Sequence, residues 1–420
     1  MKRLSSFLIA ALLLLQGCTH ENFGTEAETQ STRTESETIA LYDALANLEK
    51  AMNCVQAVKS NSSRIYSTDD IIVVGKHTFT HTKSFENEII PDTLMYVVNF
   101  ENENGFAIMS ANKRLGEDVY CITEAGSLTA DDFTEAFSAI CNEQKDNVGE
   151  NYSETGPIIV PSIVLSSMIS DLIYGKHEES PATKASRGNV YGPYIQTKWS
   201  QRENGRDELV WNKYTPNHYP AGCVAIATSQ IMLYNRLPAN PSFDGKQCNW
   251  DDMNKVCNGK DYGTSAFYGT LDQQDQVAHF VYEIGKRHNC YIRYDEDGSG
   301  GWADGAKRTL KNYGYSDVKK FLGFGKTNQK KADAQLKRGL PVYLDGSRGT
   351  SGHAWIIDGL MDDAYYHINW GWLGASDGYY KKGVFSTTDR HSIENGIDTG
   401  TSISGSRNYT WNYRLITYSK

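Results

Sequence analysis

The chain has 420 residues, 39% of them hydrophobic, and a formal net charge of −9 from 42 Lys and Arg against 51 Asp and Glu. That length holds two or three domains, each able to bury a core. No segment after the first few residues approaches 18 continuous apolar positions, which excludes a helical membrane domain, and no basic excess argues for nucleic acid.

Lys2 and Arg3 precede an apolar run from Leu4 to Leu15, then Gln16-Gly17-Cys18. A run this short is a signal-peptide core rather than a bilayer-spanning helix. Leu15-Gln16-Gly17-Cys18 resembles a lipobox, so residues 1–18 read as a lipoprotein signal peptide with Cys18 as the lipid-modified residue. Gln16 stands where a small residue is usual, and ordinary signal cleavage is the alternative. Residues 19–36 are rich in Glu, Thr and Ser, without apolar periodicity, and read as a disordered tether.

Residues 37–150 read as a small α+β domain. Leu41, Leu45, Leu48, Met52 and Val55 recur at helical spacing. Strand-like runs follow at Ile71–Val74, Leu94–Val98 and Phe106–Met109, and Phe133–Cys141 is again helical. Residues 151–188 carry Gly156-Pro157, Pro161, Pro181 and Thr183-Lys184-Ala185-Ser186-Arg187-Gly188, and read as a linker open to proteolytic nicking.

Residues 189–420 form the last domain. Cys223–Asn235 is a helix apolar on nearly all sides, which should therefore be buried, and Val277–His288 is another. Aromatic-rich strands come last, at His353–Ile357, Tyr365–Trp370, Tyr379-Tyr380 and Tyr409–Tyr418. Charge divides unevenly along this plan. Residues 19–184 hold 27 acidic against 11 basic residues, a net of −16, and residues 185–420 hold 24 against 29, a net of +5. An acidic front half either docks on the mildly basic back half or is simply solvated.

The chemistry centres on Cys223, which follows the turn Tyr219-Pro220-Ala221-Gly222 and opens a helix. A helix N-terminus offers unpaired N–H groups and the positive end of the dipole, both of which favour thiolate over thiol. Farther on come Gly352-His353-Ala354, Asp358-Gly359 and Asn369-Trp370-Gly371-Trp372. A nucleophile, a base and an orienting group stand there in chain order. An imidazole beside a thiol yields a thiolate–imidazolium pair, which attacks a carbonyl and then protonates the leaving amine.

Those three segments, with Pro220–Ala227 around the cysteine, resemble the signature segments of the streptopain family of papain-like bacterial cysteine peptidases, which are made as zymogens. Tyr96–Phe100 and Gly105–Ala111 resemble that family's propeptide. The resemblance implies an α+β fold: a papain-like peptidase domain of helices plus an antiparallel sheet, preceded by an inhibitory α+β propeptide. It further implies Gln201 as a side-chain donor to the oxyanion beside the Cys223 backbone N–H, and a preference for a hydrophobic side chain two residues before the scissile bond. The orienting group stays open between the Asn369 amide and the backbone around Trp370, with the Trp370 and Trp372 indoles as a shield.

Rival readings are a Cys-His-Asn acyltransferase of transglutaminase type and a non-enzymatic surface lipoprotein that only binds. His218 and His367 are weaker candidates for the base, lying outside the Gly-His-Ala context; His367 reads as a strand residue among Tyr365, Trp370 and Trp372. Gly346–Gly352 reads as a loop, either a mobile flap over the cleft or a plain hairpin turn, and the resemblance puts Gly298–Trp302 near the cleft. Neither a cofactor nor a metal site is expected, the cysteines show no CxxC pairs, and no disulfide is assigned. The expected partners are protein or peptide substrates, the chain's own propeptide, and the membrane only through Cys18. The expected location is the cell envelope for the precursor and the extracellular space for the released enzyme.

Overall fold

A computed structural model describes residues 37–56, 65–79, 90–116, 118–142, parts of 161–172, 189–202, 210–258, 267–296, 298–348, 351–382 and 411–420. The signal peptide, Cys18, the tether and the Lys184–Gly188 cleavage segment lie outside these residues. No helix among those described is long and apolar enough to cross a membrane.

The helices are α1 (Leu41–Gln56), α2 (Ala130–Asn142), α3 (Cys223–Asn235), α4 (Trp250–Met253), α5 (Leu271–Gly285), α6 (Ala303–Asn312) and α7 (Lys326–Lys337). The strands are β1 (Ile72–Val74), β2 (Met95–Asn99), β3 (Phe106–Ser110), β4 (Val119–Thr123), β5 (Val190–Tyr191), β6 (Ser242–Phe243), β7 (Lys246–Gln247), β8 (Ser316–Leu322) and β9 (Val342–Arg348). β10 (Ser351–Met361), β11 (Tyr365–Asn369), β12 (Gly378–Lys381) and β13 (Trp411–Ser419) complete the set. The class is α+β, as expected.

Front and back halves share one sheet. Among the described residues it has eleven strands in the order β1-β2-β3-β4-β12-β11-β10-β9-β13-β8, with β5 pairing the far end of β10. The join is β4 against β12, antiparallel, with Gly378 opposite Thr123, Tyr379 opposite Ile122 and Tyr380 opposite Cys121. Residues 37–420 accordingly form one compact unit.

Alternation along β2 and β3 shows why the front sheet is buried on both faces. Met95, Val97, Phe106 and Ile108 point into the main core, against Phe133, Ala136 and Phe137 of α2. Tyr96, Val98, Ala107 and Met109 point the other way, against Ala44, Leu48 and Met52 of α1. That second core continues across the join into Met361, Ala364, Tyr365 and Tyr379 of the back half.

The linker reading of 151–188 needs correction. The described residues of 161–172 are helical, and Val164, Leu165, Met168, Ile169 and Leu172 are buried in the main core. Prolines flanking the stretch outweighed a genuine helical apolar spacing. The Gly346–Gly352 segment is also less loop-like than expected. β9 and β10 pair through it, with Gly352 opposite Ser347 and His353 opposite Gly346, so it is a hairpin whose tip, 349–350, lies outside the described residues.

Candidate active site

Three elements converge on Cys223. Helix α3 begins at the cysteine itself, capped by Gly222 at φ 87°. A Cβ at Gly222 would sit 2.9 Å from Ile292 Cγ2 and 3.2 Å from the Ser299 carbonyl oxygen. Glycine is required here twice over, by conformation and by space. The same contacts place the Gly298–Trp302 stretch against the start of the helix. Every residue of α3 from Cys223 to Leu233 is buried, as an all-round apolar helix should be.

Cys223 is 6% exposed. Its sulfur meets the backbone N–H groups of Ala354, Val224 and its own residue. Burial nonetheless pushes the thiol up to about 12, and the Asp345 carboxylate adds to the rise. The thiolate expected from the helix terminus is therefore overruled in this state: desolvation outweighs the dipole and the N–H groups. Asp345 is itself buried, held by Arg414 Nε at 2.6 Å and the Tyr343 hydroxyl at 3.0 Å; burial lifts its carboxyl to about 6 against the pull of Arg414.

His353 lies one residue before Ala354 on β10 and is 2% exposed. Its Nε2 is 2.9 Å from the Trp370 carbonyl oxygen. A carbonyl only accepts, so Nε2 carries the hydrogen, and the lone pair of the neutral ring is on Nδ1. The ring stacks on Trp372, centroids 4.8 Å apart at 15°, and Trp372 stacks in turn on Trp370 at 5.3 Å and 11°. Both indoles are buried.

Asn369 does something else with its amide. Its Oδ1 accepts from Gln230 Nε2 at 3.1 Å and from the Gly371 N–H at 3.2 Å, and its Nδ2 donates to the Thr197 carbonyl at 3.0 Å. The Trp370–Gly371 peptide is thereby held at both ends, its N–H by Asn369 and its C=O by His353. Gln230, two turns along α3 from Cys223, also accepts from the Thr197 hydroxyl at 2.8 Å. Sequence reading passed over Gln230, whose only signal was a polar residue inside an otherwise apolar helix.

Gln201 is buried, and its carbonyl accepts the Ala221 N–H at 3.0 Å, two residues before Cys223. Its Oε1 is buried with no hydrogen-bond partner among the described residues. Cys223, Gln230, Ala354, Asn369 and Trp370 together line a small cavity between α3 and the sheet.

The two rival histidines stand apart from this cluster. His218 is exposed, with Nδ1 3.4 Å from the Asn212 carbonyl. His367 is buried between carboxylates, Nδ1 2.6 Å from Asp358 Oδ1 and Nε2 3.3 Å from Glu124 Oε1. The ring it touches edge-on, at 5.0 Å, is that of Tyr379, which is not one of the three aromatic residues expected around it. Glu124 also reaches Lys198 Nζ at 3.2 Å, and Lys198 holds Asp377 at 3.0 Å. Among the described residues no cluster of His, Cys, Asp and Glu could hold a metal ion, and Cys121, Cys223, Cys248 and Cys290 are free thiols.

Comparison with known proteins agrees with this chemistry. The chain is 26% identical to streptopain of Streptococcus pyogenes serotype M1 over 323 residues, covering 68% of this chain and 73% of that protein. It is 26% identical to the thiol protease/hemagglutinin PrtT of Porphyromonas gingivalis over 206 residues, 42% of this chain and 23% of that protein. A solved fragment of prointerpain A from Prevotella intermedia is similar at 19% identity and a TM-score of 0.49, over 80% of this chain and 98% of that one. The protein is a cysteine peptidase. Residues 205–380, which include both Cys223 and His353, match the Peptidase C10 family.

Proposed function

We propose that the chain is an exported zymogen whose Cys223 and His353 hydrolyse internal peptide bonds once the front half is removed. In the reaction, His353 takes the Cys223 proton and the sulfur attacks the scissile carbonyl. The oxyanion is met by the Cys223 backbone N–H and the Gln201 side-chain N–H. The imidazolium then protonates the leaving amine, leaving a thioester, and His353 draws a proton from the water that hydrolyses it. Trp370 O keeps the ring hydrogen on Nε2, so Nδ1 is the nitrogen that exchanges protons.

The observation that carries the reading is the placement of Cys223 at the start of α3, with its sulfur on the Ala354 N–H, one residue from His353. Latency is supported by the buried, neutral thiol and by β4 completing the sheet at β12. In this account residues 37–150 inhibit, residues 151–188 contain the cut, and residues 189–420 are the enzyme. Cys18 anchors the precursor by its lipid, and the active fragment leaves without it.

Iodoacetamide labelling tests the centre directly. Reagent mapped to Cys223 should be incorporated slowly in the precursor and fast in the processed enzyme, with hydrolysis lost in step. Full labelling of Cys223 with hydrolysis intact would remove it as nucleophile. Sequencing the N-terminus of the active species, alongside membrane fractionation of precursor and product, tests the cleavage and anchoring parts.

A further inference from the structure

Trp370 is gripped at both ends of its own residue. Its carbonyl receives His353 Nε2 at 2.9 Å, and its N–H donates to Asp377 Oδ1 at 2.9 Å. Its indole N–H donates to the Ser376 carbonyl at 3.1 Å, so the segment just before β12 holds it by side chain and backbone together. Asp377 is 1% exposed, and its second oxygen accepts from Lys198 Nζ at 3.0 Å. A buried carboxylate is costly unless each oxygen has a partner. Here one oxygen serves a cation and the other a backbone N–H that directly precedes the carbonyl on the histidine.

We propose that Asp377 is a positioning residue for catalysis: by fixing Trp370 it sets the place and the tautomer of the His353 ring. The chain of contacts runs Lys198, Asp377, Trp370, His353, with no gap longer than a hydrogen bond. Without the carboxylate, the Asn369–Trp370 peptide loses its anchor, and the Trp370 carbonyl that Nε2 needs is left fixed only from its other side, through the Gly371 N–H on Asn369. The ring then samples both tautomers, and only the one with hydrogen on Nε2 leaves Nδ1 able to take the thiol proton. Charged and titratable groups around Asp377 are Lys198, His367 and the neighbouring Tyr380. The route from Asp377 to His353 runs through Trp370, by its N–H on the carboxylate and its carbonyl on the ring.

The inference rests on His353 being the base, and two readouts keep the questions separate. Nitrogen-15 histidine spectra of the full chain should show His353 with hydrogen on Nε2 alone in the wild type and a tautomer mixture in Asp377→Ala. That readout needs no turnover. In the processed enzyme, Asp377→Ala should lower kcat by roughly 10- to 100-fold with KM within about threefold, the scale of a misplaced catalytic group. Asp377→Asn, which keeps one acceptor oxygen, should recover part of the loss. Its single oxygen cannot serve both Trp370 N–H and Lys198, so it should stay about three- to tenfold below wild type. Asp377→Ala with an unmixed Nε2–H signal and kcat within twofold overturns the proposal. If that variant does not fold, an Asp377→Asn enzyme matching wild type in both measurements overturns it instead. An active His353→Ala enzyme would remove the base assignment while leaving the tautomer result standing.

Discussion

His353 and His367 lie on neighbouring strands of one sheet, 2% and 1% exposed, yet their surroundings are opposites. His353 touches a neutral carbonyl and flat indole faces. His367 is set between Asp358 and Glu124. Burial alone would favour the neutral ring in both, but at His367 the two carboxylates outweigh it and raise the pKa to about 9. Both of its nitrogens must carry hydrogen to hold both carboxylates. A ring locked in that state is a clamp. A ring against a carbonyl keeps one nitrogen able to accept a proton, which a general base needs.

The strongest way to break this comparison is to exchange the outcomes. Cys223→Ser and His353→Ala should each lower kcat by at least about 10³-fold, because nucleophile and base act as a unit. His367→Gln should retain far more activity than His353→Ala. An equal loss in both histidine variants, measured on correctly folded processed enzyme, would end the distinction.

A smaller effect is expected at Gln201, proposed above as a donor to the oxyanion that exchanges no protons. Gln201→Ala should cost roughly 10²–10³ in kcat, the usual loss for one such donor. Its KM should change little, since the oxyanion forms only on the way to the transition state. An unchanged kcat would make Gln201 a structural loop residue, tied in by its carbonyl to Ala221.

Of the two histidines, one had a legible local context, while the other was legible only as a strand residue. His353 stands in a local Gly-His-Ala context beside a resemblance that names its role, and α3 was readable to the residue because its apolar character is continuous. His367 depends on Glu124, which lies 243 positions away along the chain. No local pattern reports such a partner. β4, β8 and β9 went unread for a related reason. β4 is buried at all five positions and so shows no alternation, and β8 carries Ser, Asp and Lys with a mostly exposed pattern, so periodicity was weak while long-range pairing supplied the stability. Thiol ionisation was misjudged because helix position is visible in sequence and burial is not. The choice between Asn369 and Trp370 also needed three dimensions, since the two act on one peptide group.

The uneven charge along the chain raised the same question at the scale of domains. Among the described residues, few of the front half's carboxylates reach the back half. Glu124 pairs with Lys198 and His367, and Asp118 with Lys381 at 2.5 Å, while Glu101, Glu103 and Asp131 face solvent. Strand pairing and the shared apolar core carry most of the contact. Docking should therefore respond weakly to salt, because partly buried pairs are screened less than exposed ones.

The smallest effect, and the finest test of the clamp, is the response of the β4–β12 join to pH and to Glu124→Gln. Lys198 and His367 each have a carboxylate of their own in the back half, Asp377 and Asp358, so neither cation is orphaned when the front half leaves. Loss of Glu124 should then loosen the join without unfolding the enzyme. Because His367 is raised from its ordinary value to about 9, its contribution to docking is complete at pH 6 and fades as pH rises through 9. The proton lost is the one on Nε2: Nδ1 is the closer contact, at 2.6 Å against 3.3 Å, and keeps its hydrogen on Asp358. Nε2 then turns a lone pair toward the Glu124 carboxylate, and attraction becomes repulsion. Hydrogen exchange at the β4 amides Val119–Thr123, in a Cys223→Ser chain and corrected for intrinsic rates, should show protection falling between pH 7 and 10. Glu124→Gln should lower protection by at least about three- to tenfold at pH 7, since both its charged contacts, to Lys198 and His367, become neutral ones, and should flatten the pH response. Protection that ignores both changes would mean that the join is held by strand pairing and packing alone, with His367 a buried ion-pair member that takes no part in latency.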